Sequence, residues 1–191
     1  NQEIWLGGFE GEIIKYSPDS NESLVFKDSL FTNNRISDMI EGPEKELYVA
    51  LDGGGLQILS PDRSEIKILT SGDGLISDDL MSLDVDDQGN LWVAGLKGVM
   101  RIDFDDMEMG LFTKNQELLA NDVYALKINE GKIFAGTSSG ITVLDPYSLE
   151  TDQWNVYSVG RDQGMTEVDI SQNSISFDQE GHLWAGANAV M

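Results

Sequence analysis

The chain has 191 residues, 40% of them hydrophobic, which is typical of a globular domain with a substantial core and excludes a disordered polypeptide. Its 12 basic and 34 acidic residues give a formal net charge of −22, which repels nucleic-acid phosphates and anionic lipid headgroups and excludes both as direct partners. The sequence contains no cysteine, so disulfides, thiol nucleophiles and zinc–thiolate sites are excluded as well.

The predicted elements are short β-strands separated by glycine-rich turns, because apolar residues alternate over short runs and do not recur at helical spacing. The four strands of each repeat are expected to pair in antiparallel order. In chain order the strands are predicted at residues 3–8, 11–17, 23–27, 35–41, 46–51, 55–60, 65–70, 79–85, 90–95, 98–104, 110–114, 122–128, 132–137, 140–145, 153–158, 173–178 and 182–187.

One short motif recurs through these strands, as in "NLWVAG" at residues 90–95. Its aromatic residue recurs at intervals of 43, 44, 42 and 50 residues, and the five aromatics are Trp5, Tyr48, Trp92, Phe134 and Trp184. A period of about 40–45 residues is the length of one four-stranded propeller blade. The predicted fold class is therefore all-β, a β-propeller whose blades have four antiparallel strands, with the repeated aromatics packed between blades rather than bound to a ligand.

The whole chain, residues 1–191, is expected to form a single propeller segment of about four blades. A propeller ring normally closes by pairing strands from both termini, and the strands left over at the two ends here do not complete one blade between them. The start, "NQEIWLGG", has neither an initiator Met nor a leader pattern, so we expect a piece of a longer or processed chain. The expected divisions are a partial blade at 1–34, blades at 35–78, 79–121 and 122–171, and a partial blade at 172–191.

The third repeat, "GLISDDLMSLDVDDQGNLWVAGLKGVMRID" at residues 74–103, closely resembles the two-component regulator propeller repeat. Gly74-Leu75 opens the repeat, Asp86 and Gly89 hold its turn, and Leu91-Trp92-Val93 forms its strand. Looser copies of the same pattern cover nearly the whole chain.

A later segment, "GMTEVDIS" at residues 164–171, resembles the segment that precedes the last strands of the closing repeat in such propellers. It departs from that family's Glu-Phe-Asn at Asp169, Ile170 and Ser171. Its position implies that the chain is the C-terminal part of the ring.

The resemblance implies a partial, seven-bladed propeller in the extracytoplasmic half of a hybrid two-component histidine kinase, in the periplasm and belonging to an inner-membrane protein. It implies a small-molecule or oligosaccharide ligand, such as a glycan breakdown product, whose binding is relayed to a downstream kinase. The expected partners are this ligand, the remaining blades and downstream domains of the parent chain, and a second copy in a homodimer. The segment itself is not expected to be an enzyme.

The sequence predicts no catalytic residue, no metal site and no cofactor. Asp84, Asp86 and Gly89 match the first, third and sixth positions of an EF-hand calcium loop, but Gly95 stands where that loop needs a bidentate Glu. We therefore interpret this segment as a hairpin turn. His182 is the only histidine and occupies a polar position before a strand, without a predicted nucleophile or base partner, so a surface turn is expected there as well.

Ligand-binding residues are expected where the repeat is broken, because structural positions recur in every blade whereas a ligand contacts particular blades only. The turns between second and third strands and the segments that link blades are expected to meet at one mouth of the propeller channel. Arg35 and Lys97 stand out there because cations are scarce, although ion pairs with Asp38, Asp52 or Asp79 are an alternative interpretation. The candidate ligand-binding residues are Phe9, Arg35, Asp52, Lys97, Ser138, Asp169, Gln172 and Asn173.

Two other functions are compatible with the same repeat. A propeller scaffold would bind another protein on its flat face. A propeller lyase would need a divalent metal and a histidine in the channel, whereas His182 is predicted on a turn.

Overall fold

The computed structural model describes residues 3–26, 35–106, 108–116, 118–148, 153–166 and 168–188. Within them no helix is both long enough and apolar enough to cross a membrane. The only helices there are three single 3₁₀ turns at Ser71–Asp73, Lys114–Gln116 and Arg161–Gln163. The strands are β1 (Ile4–Gly7), β2 (Ile13–Ser17), β3 (Glu22–Phe26), β4 (Ile36–Glu41), β5 (Leu47–Leu51), β6 (Gly55–Leu59), β7 (Ile66–Leu69), β8 (Leu80–Val85), β9 (Leu91–Gly95), β10 (Gly98–Ile102), β11 (Met109–Phe112), β12 (Val123–Asn129), β13 (Lys132–Thr137), β14 (Gly140–Ser148), β15 (Gln153–Val159), β16 (Asp169–Phe177) and β17 (Leu183–Asn188).

The predicted strands are present, with their ends shifted by a few residues. Strand β16 begins at Asp169, four residues before the predicted start, because its first half pairs with the end of β17. Position 27 of the third predicted strand and position 167 of the "GMTEVDIS" segment lie outside the described residues.

The chain forms two compact units, residues 1–80 and 81–191. The first unit contains a three-stranded sheet in the order β1-β2-β3 and a four-stranded sheet in the order β4-β5-β6-β7, both antiparallel. Ile13 of the first sheet packs against Leu47, Val49 and Leu59 of the second, and all four are buried. The two sheets therefore bury their facing surfaces against each other.

The second unit contains two four-stranded sheets, β8 to β11 and β12 to β15, and the hairpin β16–β17. Strand β8 begins at Leu80, the last residue of the first unit. Trp92 of the first sheet packs against Leu126 and Leu144 of the second, and Ala125 of the second packs against Ile170 of the hairpin. The predicted all-β fold of four-stranded antiparallel sheets is thus confirmed.

The recurring motif is explained by a hydrogen-bonded turn before the second strand of a sheet. The Asp86 carboxylate accepts hydrogen bonds from the backbone N–H of Gln88 (3.0 Å) and Asn90 (2.9 Å) and from Trp92 Nε1 (2.8 Å). Gly89 has the positive φ, 88°, that its turn position predicts. One carboxylate therefore fixes both the turn and the orientation of the buried indole.

Adjacent sheets of the second unit are also joined by hydrogen bonds between their first strands. Ser82 Oγ accepts from the Leu126 backbone N–H at 3.1 Å, and Asp84 Oδ2 accepts from the Ile128 backbone N–H at 2.7 Å. Lys127 Nζ lies 2.9 Å from the same Asp84 oxygen. Asp84 is buried, so its charge is compensated by these contacts rather than by water.

We predict that Asp84→Ala lowers the free energy of unfolding by about 1–3 kcal/mol, because the partly buried Ile128 N–H loses its acceptor. Asp87 lies in the adjacent turn and is exposed, so Asp87→Ala is the matched control and should change the same quantity by less than ~0.5 kcal/mol. Urea unfolding of both variants measures the difference, and equal midpoints would contradict the role assigned to Asp84.

The two tryptophans that bond an aspartate in this way differ in burial. Trp92 is 1% exposed under the neighbouring sheet, whereas Trp184, held by Asp178 Oδ2 at 3.0 Å, is 62% exposed on the terminal hairpin. The same local hydrogen bond therefore occurs with and without a covering sheet.

We expect Trp92→Ala to lower the free energy of unfolding by about 3–5 kcal/mol, because it leaves a cavity in the core. Trp184→Ala removes an equivalent indole that is not covered, so its cost should stay near 1 kcal/mol, about the value of its one hydrogen bond. Thermal or urea unfolding of the two variants gives the comparison. Similar losses of unfolding free energy in the two variants would contradict the stabilising role assigned to packing between sheets at Trp92.

Candidate functional site

Three polar side chains meet near the first residues of strands β12 and β16 in the second unit. Tyr124 Oη donates a hydrogen bond to Asp122 Oδ2 at 3.1 Å. The Asp169 carboxylate lies close enough for its charge to act on the same phenol. Asp169 is one of the residues predicted from the sequence, whereas Asp122 and Tyr124 are not.

β-Bulges determine which side chains reach this place. The pairing of β12 with β13 shifts between Val123 and Ala125, so Tyr124 is the extra residue of a bulge. A larger shift interrupts the pairing of β16 with β17 between Ile170 and Ile175. Bulges of this kind redirect a side chain and are common beside functional sites.

The bulge of β16 contains two further residues predicted from the sequence. Gln172 Nε2 donates to the Met81 backbone oxygen of β8 at 3.2 Å, so this side chain connects the first strands of two sheets that are not consecutive. Asn173 is exposed and has a left-handed φ of 51°. We call Asp122, Tyr124, Asp169 and Gln172 the inner-strand site.

The pKa of Tyr124 is raised, first by burial of the phenol and then by the Asp122 charge, the hydrogen bond to Asp122 and the Asp169 charge. The phenol therefore remains protonated at neutral pH and can donate a hydrogen bond. Two carboxylates supply acceptors, and the Gln172 amide supplies both kinds of group. Such a mixture of donors and acceptors suits a ligand rich in hydroxyl groups.

Lys97 and Ser138 lie where the sequence predicts them, at the turns between second and third strands of their sheets. Lys97 is exposed at the tip of the β9–β10 hairpin and has no ion pair within the described part of the chain. Ser138 is partly buried at the tip of the β13–β14 hairpin. Lys97 is therefore a cation available at this turn.

The remaining predicted residues, Phe9, Arg35 and Asp52, lie in the first unit. Arg35 Nη2 and Nε lie 3.2 and 3.3 Å from Asp52 Oδ2, and the Asp52 backbone N–H bonds the Arg35 carbonyl at 3.0 Å. The ion pair considered as an alternative for Arg35 is thus present, with both side chains partly exposed. Phe9 is 80% exposed in the turn between β1 and β2.

The acidic turn and the histidine have structural partners. Asp84 bonds the neighbouring strand, and Asp86 bonds its own turn. Among the described residues, no group of three or more His, Cys, Asp or Glu side chains could hold a metal ion. His182 is exposed, with Nδ1 3.1 Å from Asp178 Oδ2, at the opposite end of β16 from Asp169.

Tyr124 could have been found by the criterion that selected the other candidates. Its counterparts at the second position of the first strand are Ser37 in β4 and Met81 in β8, so an aromatic hydroxyl there breaks the repeat. What the pattern cannot show is the bulge, which decides where the side chain of Tyr124 lies.

Within each unit, consecutive antiparallel sheets pack face to face, an arrangement typical of the β-propeller class. No protein-family model matches the sequence, and no curated protein matches it. Solved structures do match, and the similarity extends over nearly the whole chain.

Two matching structures are extracellular domains of proteins assigned as hybrid two-component systems of B. thetaiotaomicron. One is 17% identical with a TM-score of 0.78, and the match covers 96% of this chain and 24% of that chain. The other is 20% identical with a TM-score of 0.74, and the match covers 97% and 24% of the two chains. A third structure, virginiamycin B lyase from Staphylococcus aureus, is 10% identical with a TM-score of 0.66, covering 96% of this chain and 66% of that chain.

The chain therefore spans about a quarter of the length of the two extracellular domains that it matches. At these identities the likeness concerns the fold. The resemblance to two-component regulator propellers that the repeats predict is confirmed at that level.

We predict that Asp122→Asn lowers the pKa of the Tyr124 phenol towards the ordinary value of about 10, because it removes a negative charge that favours the protonated form. Asp169→Asn should act in the same direction and more weakly. Tyrosine absorbance or NMR titration above neutral pH measures the shift. Glu130→Gln, in the exposed turn at the other end of β12, is the control and should leave this pKa unchanged; an equal shift in the control would contradict the assignment.

Proposed function

We propose that this chain is a ligand-sensing propeller segment of an extracytoplasmic sensor, which relays ligand binding to a downstream kinase. The observation that supports the proposal best is the likeness of its fold to the extracellular domains of two hybrid two-component systems, with TM-scores of 0.78 and 0.74. We also propose a periplasmic location in an inner-membrane protein, which the same likeness supports. Because fold alone does not establish function, the site chemistry must support the proposal independently.

The proposed arrangement is about four blades of a seven-bladed ring. In it, the three-stranded sheet β1–β3 and the hairpin β16–β17 are partial blades whose missing strands belong to the parent protein. The exposed indole of Trp184 supports this, since the equivalent Trp92 is covered by a sheet. The remaining blades, the downstream domains and a second copy of the chain are the proposed protein partners.

The proposed ligand is a glycan or oligosaccharide that binds the inner-strand site of the second unit. Sugar hydroxyls both donate and accept hydrogen bonds, as this site requires, because its carboxylates accept and the protonated phenol of Tyr124 donates. Lys97, Ser138 and Asn173 of the same unit are proposed to contribute further polar contacts. The unpaired ammonium group of Lys97 would favour a ligand that carries a uronate or a sulfate.

Phe9, Arg35 and Asp52 are proposed as a separate set of contacts in the first unit. The ion pair between Arg35 and Asp52 is partly exposed and presents a donor and an acceptor side by side. Phe9 offers an exposed aromatic ring of the kind that packs on a sugar face.

A protein-binding scaffold is the second candidate function, and the exposed ring of Trp184 is its most direct support. A propeller lyase is the third candidate, because the fold of virginiamycin B lyase matches this chain with a TM-score of 0.66. The inner-strand site does not support the lyase, because the one histidine lies on a turn at the far end of β16.

The proposal is tested by calorimetric titration of the intact chain with a panel of neutral, uronate-containing and sulfated oligosaccharides. Tyr124→Phe and Lys97→Gln should each weaken the best binder at least about tenfold, the value of one lost hydrogen bond to a charged or buried group. Lys67→Gln removes an exposed cation on the outer strand β7 and should leave affinity unchanged.

Two results would count against this proposal. One is a panel in which no oligosaccharide binds the folded chain. The other is binding that is lost equally in Lys67→Gln, because that would indicate a general effect of charge rather than a site at the inner strands.

A further inference from the structure

An open cleft of about 390 Å³ lies between the two sheets of the first unit, on the side of their outer strands. Its apolar surface comes from Trp5, Leu24, Phe26 and Pro61. Three of the chain's 12 basic residues also line it, namely Lys15, Lys45 and Arg63. Its volume falls within the range of small-molecule sites. The cleft shares no residue with the inner-strand site.

The second unit shows how the same place is filled when no cleft is present. Trp92 stacks on Phe112 with ring centroids 5.6 Å apart, as Trp5 stacks on Phe26 at 5.7 Å. Trp154 of the next sheet closes over the first pair, with its ring centroid 5.7 Å from that of Trp92 and 5.0 Å from that of Phe112.

Strand register identifies the residue that replaces Trp154 in the first unit. Leu144 pairs with Val156 and Pro146 with Trp154 in the second unit. In the first unit Leu59 pairs with Ile66, which places Pro61 opposite Ser64. A serine in a tight turn thus stands where the other interface has a tryptophan, so no indole at this register closes over the aromatic pair of the first unit.

Arg63 lies in that turn. Hydrogen bonds hold its guanidinium group in place, but no carboxylate of the described residues lies within hydrogen-bond distance of it. Its side chain is only 9% exposed; Nη1 donates to the backbone oxygens of Lys45 (2.6 Å) and Ser60 (2.8 Å), and Cζ lies 5.0 Å from the Trp5 ring centroid. The nearest carboxylate oxygen, on Glu41, is 3.9 Å from Nη2. Arg63 Nε is buried and has no hydrogen-bond partner in the described part of the chain.

The carboxylates that line the cleft are already bonded. Glu3 pairs with Lys15 at 2.5 Å and Glu41 with Lys45 at 2.8 Å. Asp62 accepts from both hydroxyls and one backbone N–H of Ser60 and Ser64, and these bonds, led by the Ser60 hydroxyl, lower its pKa to about 2. The cleft therefore has a guanidinium group, that of Arg63, whose Nη2 has no carboxylate within hydrogen-bond distance in the described ranges, beside a partly exposed aromatic pair. Each carboxylate that lines the cleft already has a partner on at least one oxygen.

We infer that this cleft binds a small carboxylate with an aromatic or other apolar body. The carboxylate would accept from Arg63 Nη2, which lies no closer than 3.9 Å to a carboxylate among the described residues, in a charge-assisted bond. The apolar body would lie against Trp5 and Phe26, beside the Arg63 guanidinium, in the region that Trp154 fills in the second unit. The inference does not depend on the sensing role proposed above.

The test is titration of the intact chain with phenylacetate, and with the neutral phenylacetamide as a matched probe, followed by ligand-observed NMR. Phenylacetate should bind at least about tenfold more tightly than phenylacetamide, because only the charged group pairs with the guanidinium. Ser64→Trp should place an indole in the cleft and weaken phenylacetate binding at least about tenfold. Arg63→Gln should remove the preference for the acid over the amide.

Arg101→Gln is the matched control, because Arg101 also has a buried Nε without a partner in the described part of the chain but belongs to the second unit and does not line the cleft. It should leave phenylacetate affinity unchanged, and circular dichroism should show that Ser64→Trp remains folded. The inference is overturned if phenylacetate does not bind the parent chain, if acid and amide bind equally, or if Ser64→Trp retains full affinity. Full affinity in Ser64→Trp would overturn the inference even if Arg63→Gln did not fold, because that result does not depend on the Arg63 variant.

Discussion

The structure depends on one packing constraint, which is that an apolar face of a four-stranded sheet is removed from water only when another sheet lies over it. Trp92 and Trp184 show the two outcomes of that constraint within one chain. They make the same hydrogen bond to an aspartate six residues earlier, yet Trp92 is 1% exposed and Trp184 is 62% exposed. The local motif orients the indole, and the neighbouring sheet removes it from water.

The same constraint explains why some positions of the repeat require an apolar side chain whereas others accept different side chains. Residues that face the next sheet must be apolar in each blade, and the buried Asp84 is accepted only because it bonds the adjacent strand and Lys127. Residues at the strand ends and hairpin tips carry no such requirement. Tyr124, Asp169 and Lys97 lie at those positions, which is where a ligand site can vary without loss of the fold.

Departures from the repeat identify candidate sites at the interfaces between sheets as well as at strand ends and hairpin tips. Both interfaces stack a tryptophan on a phenylalanine at nearly the same separation, but Trp154 covers one pair and Ser64 stands at the same register in the other. The second pair has Arg63 as its neighbour instead. A comparison of equivalent interfaces thus separates aromatic residues that only pack from those that also line a cavity.

The sequence by itself determined the all-β class, the four-stranded unit, the turn at Gly89 and the packing of Trp92 between sheets, because period and turn chemistry are local properties of the chain; the packing predicted for Trp184 is not found, since that ring is 62% exposed. It also placed Lys97 and Ser138 at hairpin tips. It offered Asp52 as one possible ion-pair partner of Arg35, but it did not reveal that Tyr124 bonds Asp122 near Asp169, or that Ser64 leaves a cleft beside Trp5. Those relations join residues from different strands, and bulges and register, which only the tertiary structure sets, decide which side chains meet.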